Sequence, residues 1–86
     1  MTVPTFLVEA YVPRSGARDA QAMARDARAG AEALTREGTP ISYIRATSLP
    51  EDETCFHVFE ATSWEAVAEV CRRAGIGGGR IVRVVE

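Results

Sequence analysis

The segment that decides the fold is ISYIRATSLPEDETCFHVFEA, residues 41–61. Its two ends, 41–48 and 54–61, are rich in β-branched and aromatic residues, which favour strands. Between them, the acidic and proline-containing residues 49–53 predict a turn, so the two strands are expected to pair as a hairpin. The elements on either side of this hairpin therefore set the topology.

A helix is predicted on each side of the hairpin. Residues 17–37 repeat apolar side chains at spacings of three and four, and Gly38 then provides a stop. Residues 62–75 repeat the pattern, with an apolar face that runs from Trp64 to Cys71. Both helices are short enough to lie across one sheet.

The outermost segments predict two more strands. Residues 6–12 alternate apolar and mixed side chains until Pro13, and residues 80–85 are mostly β-branched. The glycine-rich run 75–79 follows a helix instead of opening one, so it predicts a hinge and not a phosphate loop. The order β-α-β-β-α-β predicts a single ferredoxin-like α+β domain over residues 1–86, a four-stranded antiparallel sheet with two helices on one face.

Composition excludes several functions. The 86 residues allow one modest core, and 47% hydrophobic with 26% charged residues is typical of a globular domain. A net charge of −2 with scattered cations argues against nucleic-acid binding, and no apolar run is long enough for a membrane span. Without a secretory signal pattern we expect a cytoplasmic protein with two free, buried cysteines. All ten cations are arginine, which suggests the GC-rich codon usage of an actinobacterium.

Two helices leave one sheet face open, and polarity suggests what lies there. The expected open-face residues are Leu7, Glu9 and Tyr11 on the first strand, Ile41, Tyr43 and Arg45 on the second, and Ile81, Arg83 and Val85 on the fourth. The third strand leaves two alternatives: Cys55, His57 and Phe59 on the open face, or Phe56, Val58 and Glu60. An open apolar face predicts a homodimer, and a pocket or dimer face lined by Tyr11, Tyr43, Arg45, Cys55 and Arg83.

Few side chains here can carry chemistry. Cys55 and His57 are two residues apart on one strand, which suits a shared metal better than a thiolate–imidazole pair; an ordinary sheet histidine is the alternative. Glu9 and Glu60 lie on neighbouring strands and are either a carboxylate pair or separate ion pairs with arginines. The candidate metal ligands are therefore His57, Glu9 and Glu60.

Several motifs resemble one family. They are FLVE followed by YVP in 6–13, PEDETCF running into FEA in 50–61, SWEAV in 63–67, and RAGI followed by RIV in 73–82. They are similar to a small bacterial ferredoxin-like domain family of uncharacterised function that includes an actinobacterial nickel-binding protein. The resemblance implies a ferredoxin-like homodimer that binds nickel or a similar divalent ion near the dimer surface. Glu9, Cys55 and Glu60 match the family pattern.

Three functional hypotheses follow. The first is a small dimeric cytoplasmic protein that binds nickel or another divalent metal through His57, Glu9 and Glu60. The second is a dimeric α+β barrel-type enzyme or small-molecule binder, similar to cofactor-independent oxygenases and cyclases, with a cavity lined by Tyr11, Tyr43, Arg45, His57 and Glu60. The third is a non-catalytic accessory domain. The family resemblance alone places metal or ligand binding first, with the non-catalytic accessory domain close behind it.

Overall fold

The computed structural model describes residues 3–14, 19–77 and 79–85. Its elements are β1 (Thr5–Tyr11), α1 (Ala20–Arg36), β2 (Ile41–Leu49), β3 (Thr54–Ala61), α2 (Trp64–Ala74) and β4 (Arg80–Val84), with a 3₁₀ turn at Pro50–Asp52. The strands form one antiparallel sheet in the order β2-β3-β1-β4 with both helices on one face, which confirms the predicted ferredoxin-like α+β fold. Ser15 and Gly16, which predict a turn after Pro13, and residues 17–18, with which the first predicted helix begins, lie outside the described residues. Within these ranges, no helix is both long and apolar enough to cross a bilayer.

Side-chain caps and left-handed glycines fix the helix ends. The Asp19 carboxylate accepts a hydrogen bond from the Ala22 N–H at 2.8 Å, and Ser63 Oγ accepts one from the Ala66 N–H at 3.3 Å. At the other end of α2, Gly75 takes a φ of 71°, which glycine adopts without strain. The chain leaves α2 there and crosses toward β4.

The core lies between the helices and one sheet face. It is built mainly from Phe6, Val8, Ala27, Ala31, Leu34, Ile41, Phe59, Val67 and Val70. The small residues of α1 let the helices approach closely: a Cβ added at Gly30 would lie 3.3 Å from Val70 Cγ1. The alanine-rich stripe of α1 therefore serves close helix packing.

Strand register assigns β1 and β3 to faces. In an antiparallel pair, residues directly opposite each other point to the same side. Val8, which is buried beneath the helices, lies opposite His57, and Phe6 lies opposite Phe59. The helix side of β3 therefore holds Cys55, His57 and Phe59, and its open side holds Phe56, Val58 and Glu60. The first strand is as predicted, with Leu7, Glu9 and Tyr11 on the open face.

The face predicted for β2 is wrong for two of three residues. Ile41 pairs with Ala61 and Tyr43 with Phe59, so both point toward the helices. The register then shifts between Tyr43 and Arg45, which makes Ile44 the extra residue of a bulge. Arg45 consequently lies on the open face, as predicted, although strict alternation from Tyr43 is broken.

The face predicted for β4 is also wrong. Ile81 lies opposite Val8 and Arg83 opposite Phe6, which places both on the helix side. The open face instead carries Arg80, Val82 and Val84 of β4, and Val85 lies beyond the last paired residue. Polarity could not decide which side of β4 faces the helices. The two alternating sets of residues, 80, 82 and 84 or 81, 83 and 85, each contain one arginine and two β-branched apolar residues.

Candidate functional site

The structure divides the predicted site residues between the two sides of the sheet. Tyr11, Arg45, Glu9 and Glu60 lie on the open face, and Tyr43, Cys55, His57 and Arg83 lie on the helix side. The barrel-type cavity expected from five of these residues is therefore not formed within one subunit. Three places remain as candidates: the open sheet face, the Tyr43–His57 contact, and a groove between α2 and β4.

The predicted metal ligands do not converge. His57 is fully buried beneath the helices, whereas Glu9 and Glu60 are exposed on the opposite face. Glu9 pairs with Phe56 and Glu60 with Thr5, so the two carboxylates are four residues apart along the strands, about 13 Å. Across residues 3–14, 19–77 and 79–85, no group of three histidine, cysteine or acidic side chains could hold a metal ion. Within the described part of one subunit, His57, Glu9 and Glu60 therefore do not come together as the nickel site that the resemblance implies.

His57 is instead held by a tyrosine on the next strand. Tyr43 Oη and His57 Nδ1 are hydrogen-bonded at 2.7 Å. Tyr43 also packs edge-on against Phe59, at 5.1 Å between ring centroids, and the Arg28 guanidinium lies 5.1 Å from the tyrosine ring centre. Burial raises the pKa of Tyr43 to about 12, because the phenolate is poorly solvated there. His57 is therefore a core residue whose Nδ1 is engaged within the fold.

The cysteines carry no reactive signature. Cys55 and Cys71 are both free and buried, as predicted. Burial raises the pKa of each thiol, to about 11 for Cys71, because the thiolate would lose its hydration. Neither sulfur is therefore activated as a nucleophile at neutral pH.

The open sheet face carries apolar side chains interspersed with charged ones. The exposed or partly exposed apolar side chains are Leu7, Tyr11, Leu49, Phe56, Val82 and Val84, and Val58 on the same face is buried. Tyr11 is 66% exposed, and Val84 is 42% exposed. The charges on the strands of this face are Glu9, Glu60, Arg45 and Arg80, two of each sign, and Glu9 lies directly opposite Arg80. We refer to these residues as the open sheet face.

The third candidate is a groove on the helix side, which we call the α2–β4 groove. It has a volume of about 750 Å³ and is lined mainly by Pro4, Phe6, Ser63, Trp64, Ile81 and Arg83. Trp64 was expected on the apolar face of α2 with Val67 and Cys71. It is instead 56% exposed, because it is the first residue of the helix and lies in the wall of the groove. The sequence offered one clue to this groove, a large aromatic residue beside a helix cap.

No family model matches the chain, and no curated protein or solved structure is significantly similar to it.

Proposed function

We propose that this protein is a small binding protein that works as a homodimer, with the open sheet faces of two subunits against each other. The observation that supports the proposal is the exposure of several large apolar side chains on a sheet face that no helix covers. Removing apolar surface from water is the main driving force of association, and soluble proteins rarely leave such patches uncovered.

The charges of the open sheet face are compatible with self-association. Two acidic and two basic residues lie on its strands, so the face has no net formal charge and two copies do not repel each other. A twofold interface brings the same patch from each subunit together, which suits a face whose own acidic and basic residues are interspersed. A face of one sign would have opposed this arrangement.

The oligomeric state tests the proposal directly. We expect sedimentation velocity over a range of protein concentrations to give a dimer for the wild-type chain. Val82→Glu places a charge at a 37% exposed position of the open sheet face and should weaken dimerisation by roughly tenfold or more. Val85→Glu is the matched control, since Val85 is 83% exposed and follows the last strand residue. A monomeric wild-type chain at every concentration would contradict the proposal.

Divalent-metal binding is a second candidate, supported by the placement of both predicted carboxylates on the open sheet face. In the proposed dimer, Glu9 and Glu60 of two subunits face the same interface, where carboxylates and water can serve as ligands. Calorimetric titration of metal-stripped protein with Ni²⁺ tests this, using Glu9→Gln, Glu60→Gln and His57→Ala. Uptake that is lost in the glutamine variants supports the interface site; uptake that survives both of them, or no uptake at all, rejects it.

A further inference from the structure

The α2–β4 groove has the size and lining of a small-molecule site. Its volume of about 750 Å³ lies within the usual range for such sites, and its base is apolar, with Pro4, Phe6 and Ile81. The groove lies where the edge strand β4 continues the sheet beside α2. This short strand presents few side chains to the helix and leaves space between the two elements. On its helix side β4 carries only Ile81 and Arg83, after Gly79.

One wall of the groove is an exposed aromatic ring. Trp64 is the first residue of α2 and is 56% exposed although it borders an apolar depression. An indole ring in this position offers a flat apolar surface to a planar ligand, and aromatic rings pair favourably in stacked or edge-on geometry. The groove thus favours a ligand that contains an aromatic ring.

A cationic side chain lies at the same end of the groove. β3 and β4 both run antiparallel to β1, so the start of α2, which follows β3, and Arg83 at the end of β4 are at one end of the sheet. Among the residues that the structure describes, no carboxylate forms an ion pair with the Arg83 guanidinium. A guanidinium pairs best with a carboxylate, through two parallel hydrogen bonds.

The remaining charge in the groove sets the orientation of a ligand. Glu65 also borders the groove, on the α2 side, and repels an anion placed beside it. The ligand's negative group is therefore favoured at Arg83, with its ring directed toward Trp64. A single arginine, without a lysine or a glycine-rich loop opening the helix, matches one carboxylate better than a di- or triphosphate.

We propose that the α2–β4 groove binds a small aromatic carboxylate, with its ring against Trp64 and its carboxylate paired with Arg83. This site is on the helix side of the sheet, so it is separate from the open sheet face and does not depend on the proposed dimer. It gives the protein a ligand class that neither its composition nor its motifs indicate.

The single tryptophan makes the groove directly observable. Trp64 is the only tryptophan of the chain, so its fluorescence reports on this groove alone. Trp64 fluorescence is titrated with benzoate. Benzamide is the uncharged control compound, and cyclohexanecarboxylate is the non-aromatic control compound. Benzoate should change the emission saturably and bind more tightly than either relative. Equal binding of benzoate and benzamide, or no saturable change with benzoate, would overturn the proposal.

Variants test the assigned roles. Arg83→Gln should weaken benzoate binding roughly tenfold or more, because a neutral amide replaces the charged guanidinium that donates to the carboxylate. Arg80→Gln is the control, since Arg80 lies on the same strand but on the open sheet face. Trp64→Leu should weaken the binding of benzoate more than the binding of cyclohexanecarboxylate. Calorimetry measures both affinities, because this variant has no tryptophan fluorescence. An unchanged affinity in Arg83→Gln would overturn the assignment, whereas unchanged benzoate binding in Val82→Glu supports a site that is independent of dimerisation.

Discussion

Tyr43 Oη lies 2.7 Å from His57 Nδ1, and this contact joins the edge strand β2 to the core strand β3 beneath the helices. The two residues are not directly opposite each other, because Tyr43 pairs with Phe59 and His57 with Ala46. The bulge at Ile44 separates Tyr43 from Arg45, the next paired residue. Because of it, Tyr43 points toward the helices while Arg45 points to the open face. The contact gives Nδ1 of the only histidine of the chain a hydrogen-bond partner inside the fold.

Tyr43→Phe should destabilise the fold by about 1–3 kcal/mol, because the substitution removes the hydroxyl that reaches a buried imidazole nitrogen. The phenylalanine ring keeps the edge-on contact with Phe59 and the position beside Arg28, so the loss isolates the hydrogen bond. Urea unfolding measures the change. Tyr11→Phe is the control, since Tyr11 is exposed, and it should stay within about 0.5 kcal/mol of the wild type. Equal effects of the two substitutions would contradict the role of the contact.

The stability of the wild-type chain should fall at alkaline pH partly through Tyr43. Its folded pKa of about 12 lies above the ordinary tyrosine pKa of 10.0, so the unfolded chain loses this proton first. The contribution is complete below pH 10 and disappears as the pH rises toward about 12. Burial of Cys71, with a pKa of about 11, acts in the same direction.

This alkaline effect is separable by substitution. The difference in unfolding free energy between the wild type and Tyr43→Phe should narrow as pH rises from 10 to about 12, since only the wild type carries the phenol. Urea unfolding at a series of pH values measures it, and Cys71→Ala removes the thiol contribution from both chains. A difference that stays constant over this range would show that the phenol is not shielded in the folded state.

How far the sequence predicts this molecule depends on how different the two faces of each strand are. Periodicity and glycine stops predicted every helix and strand to within a few residues. The faces of β1 were predicted because Phe6, Val8 and Ala10 contrast with Glu9 and Tyr11. β4 has no such contrast, so its orientation depends on pairing with β1.

The candidate site was less predictable because it depends on register. Polarity alone placed Tyr43 on the open face, since nothing in the sequence marks Ile44 as the extra residue of a bulge. The pairing of His57 with Val8 places it on the helix side, away from Glu9 and Glu60, and the inward Tyr43 is its hydrogen-bond partner there. The α2–β4 groove likewise required the register of β4, because Arg83 enters it only when it lies opposite Phe6.

Arg73→Gln should lower the melting temperature by loosening the contact between the two helices. Arg73 makes two hydrogen bonds to the Glu37 carboxylate, at 2.7 and 2.8 Å, and a third to Glu69 at 2.7 Å. Because these groups are solvent-exposed, the effect should be small and should shrink as salt is added. Thermal unfolding at low and high salt measures it. Arg25→Gln, an exposed charge elsewhere on α1, is the control and should show no comparable salt dependence.

Acid should remove the same contribution. Hydrogen bonds from Arg72 and Arg73 lower the pKa of Glu69 from 4.5 to about 2. Because the folded pKa is the lower one, this stabilisation is complete above about pH 4.5 and is lost as the pH falls toward 2. The melting temperatures of the wild type and Arg73→Gln should therefore converge on acidification. A gap that stays constant over this range would mean that the arginine acts through packing instead of charge.

Gly79→Ala should destabilise the fold through the contact between β4 and β1. A Cβ at this position would lie 3.0 Å from the Glu9 carbonyl oxygen and 3.2 Å from Val8 Cγ1. β1 is a central strand, so its backbone cannot move aside, and such overpacking costs about 1–3 kcal/mol. Urea unfolding measures the loss.

Gly77→Ala is the matched control for this substitution, because a Cβ at Gly77 meets nothing within 4 Å. It should be neutral, or stabilising by up to about 1 kcal/mol, through the reduced freedom of the unfolded chain. Comparing these two variants also tests the α2–β4 groove. Gly79 lies close to the β1 backbone just before β4, and the same β1–β4 pairing places Arg83 opposite Phe6. If Gly79→Ala proved no more costly than Gly77→Ala, β4 would not lie tightly against β1, and the register that brings Arg83 to the groove would be wrong.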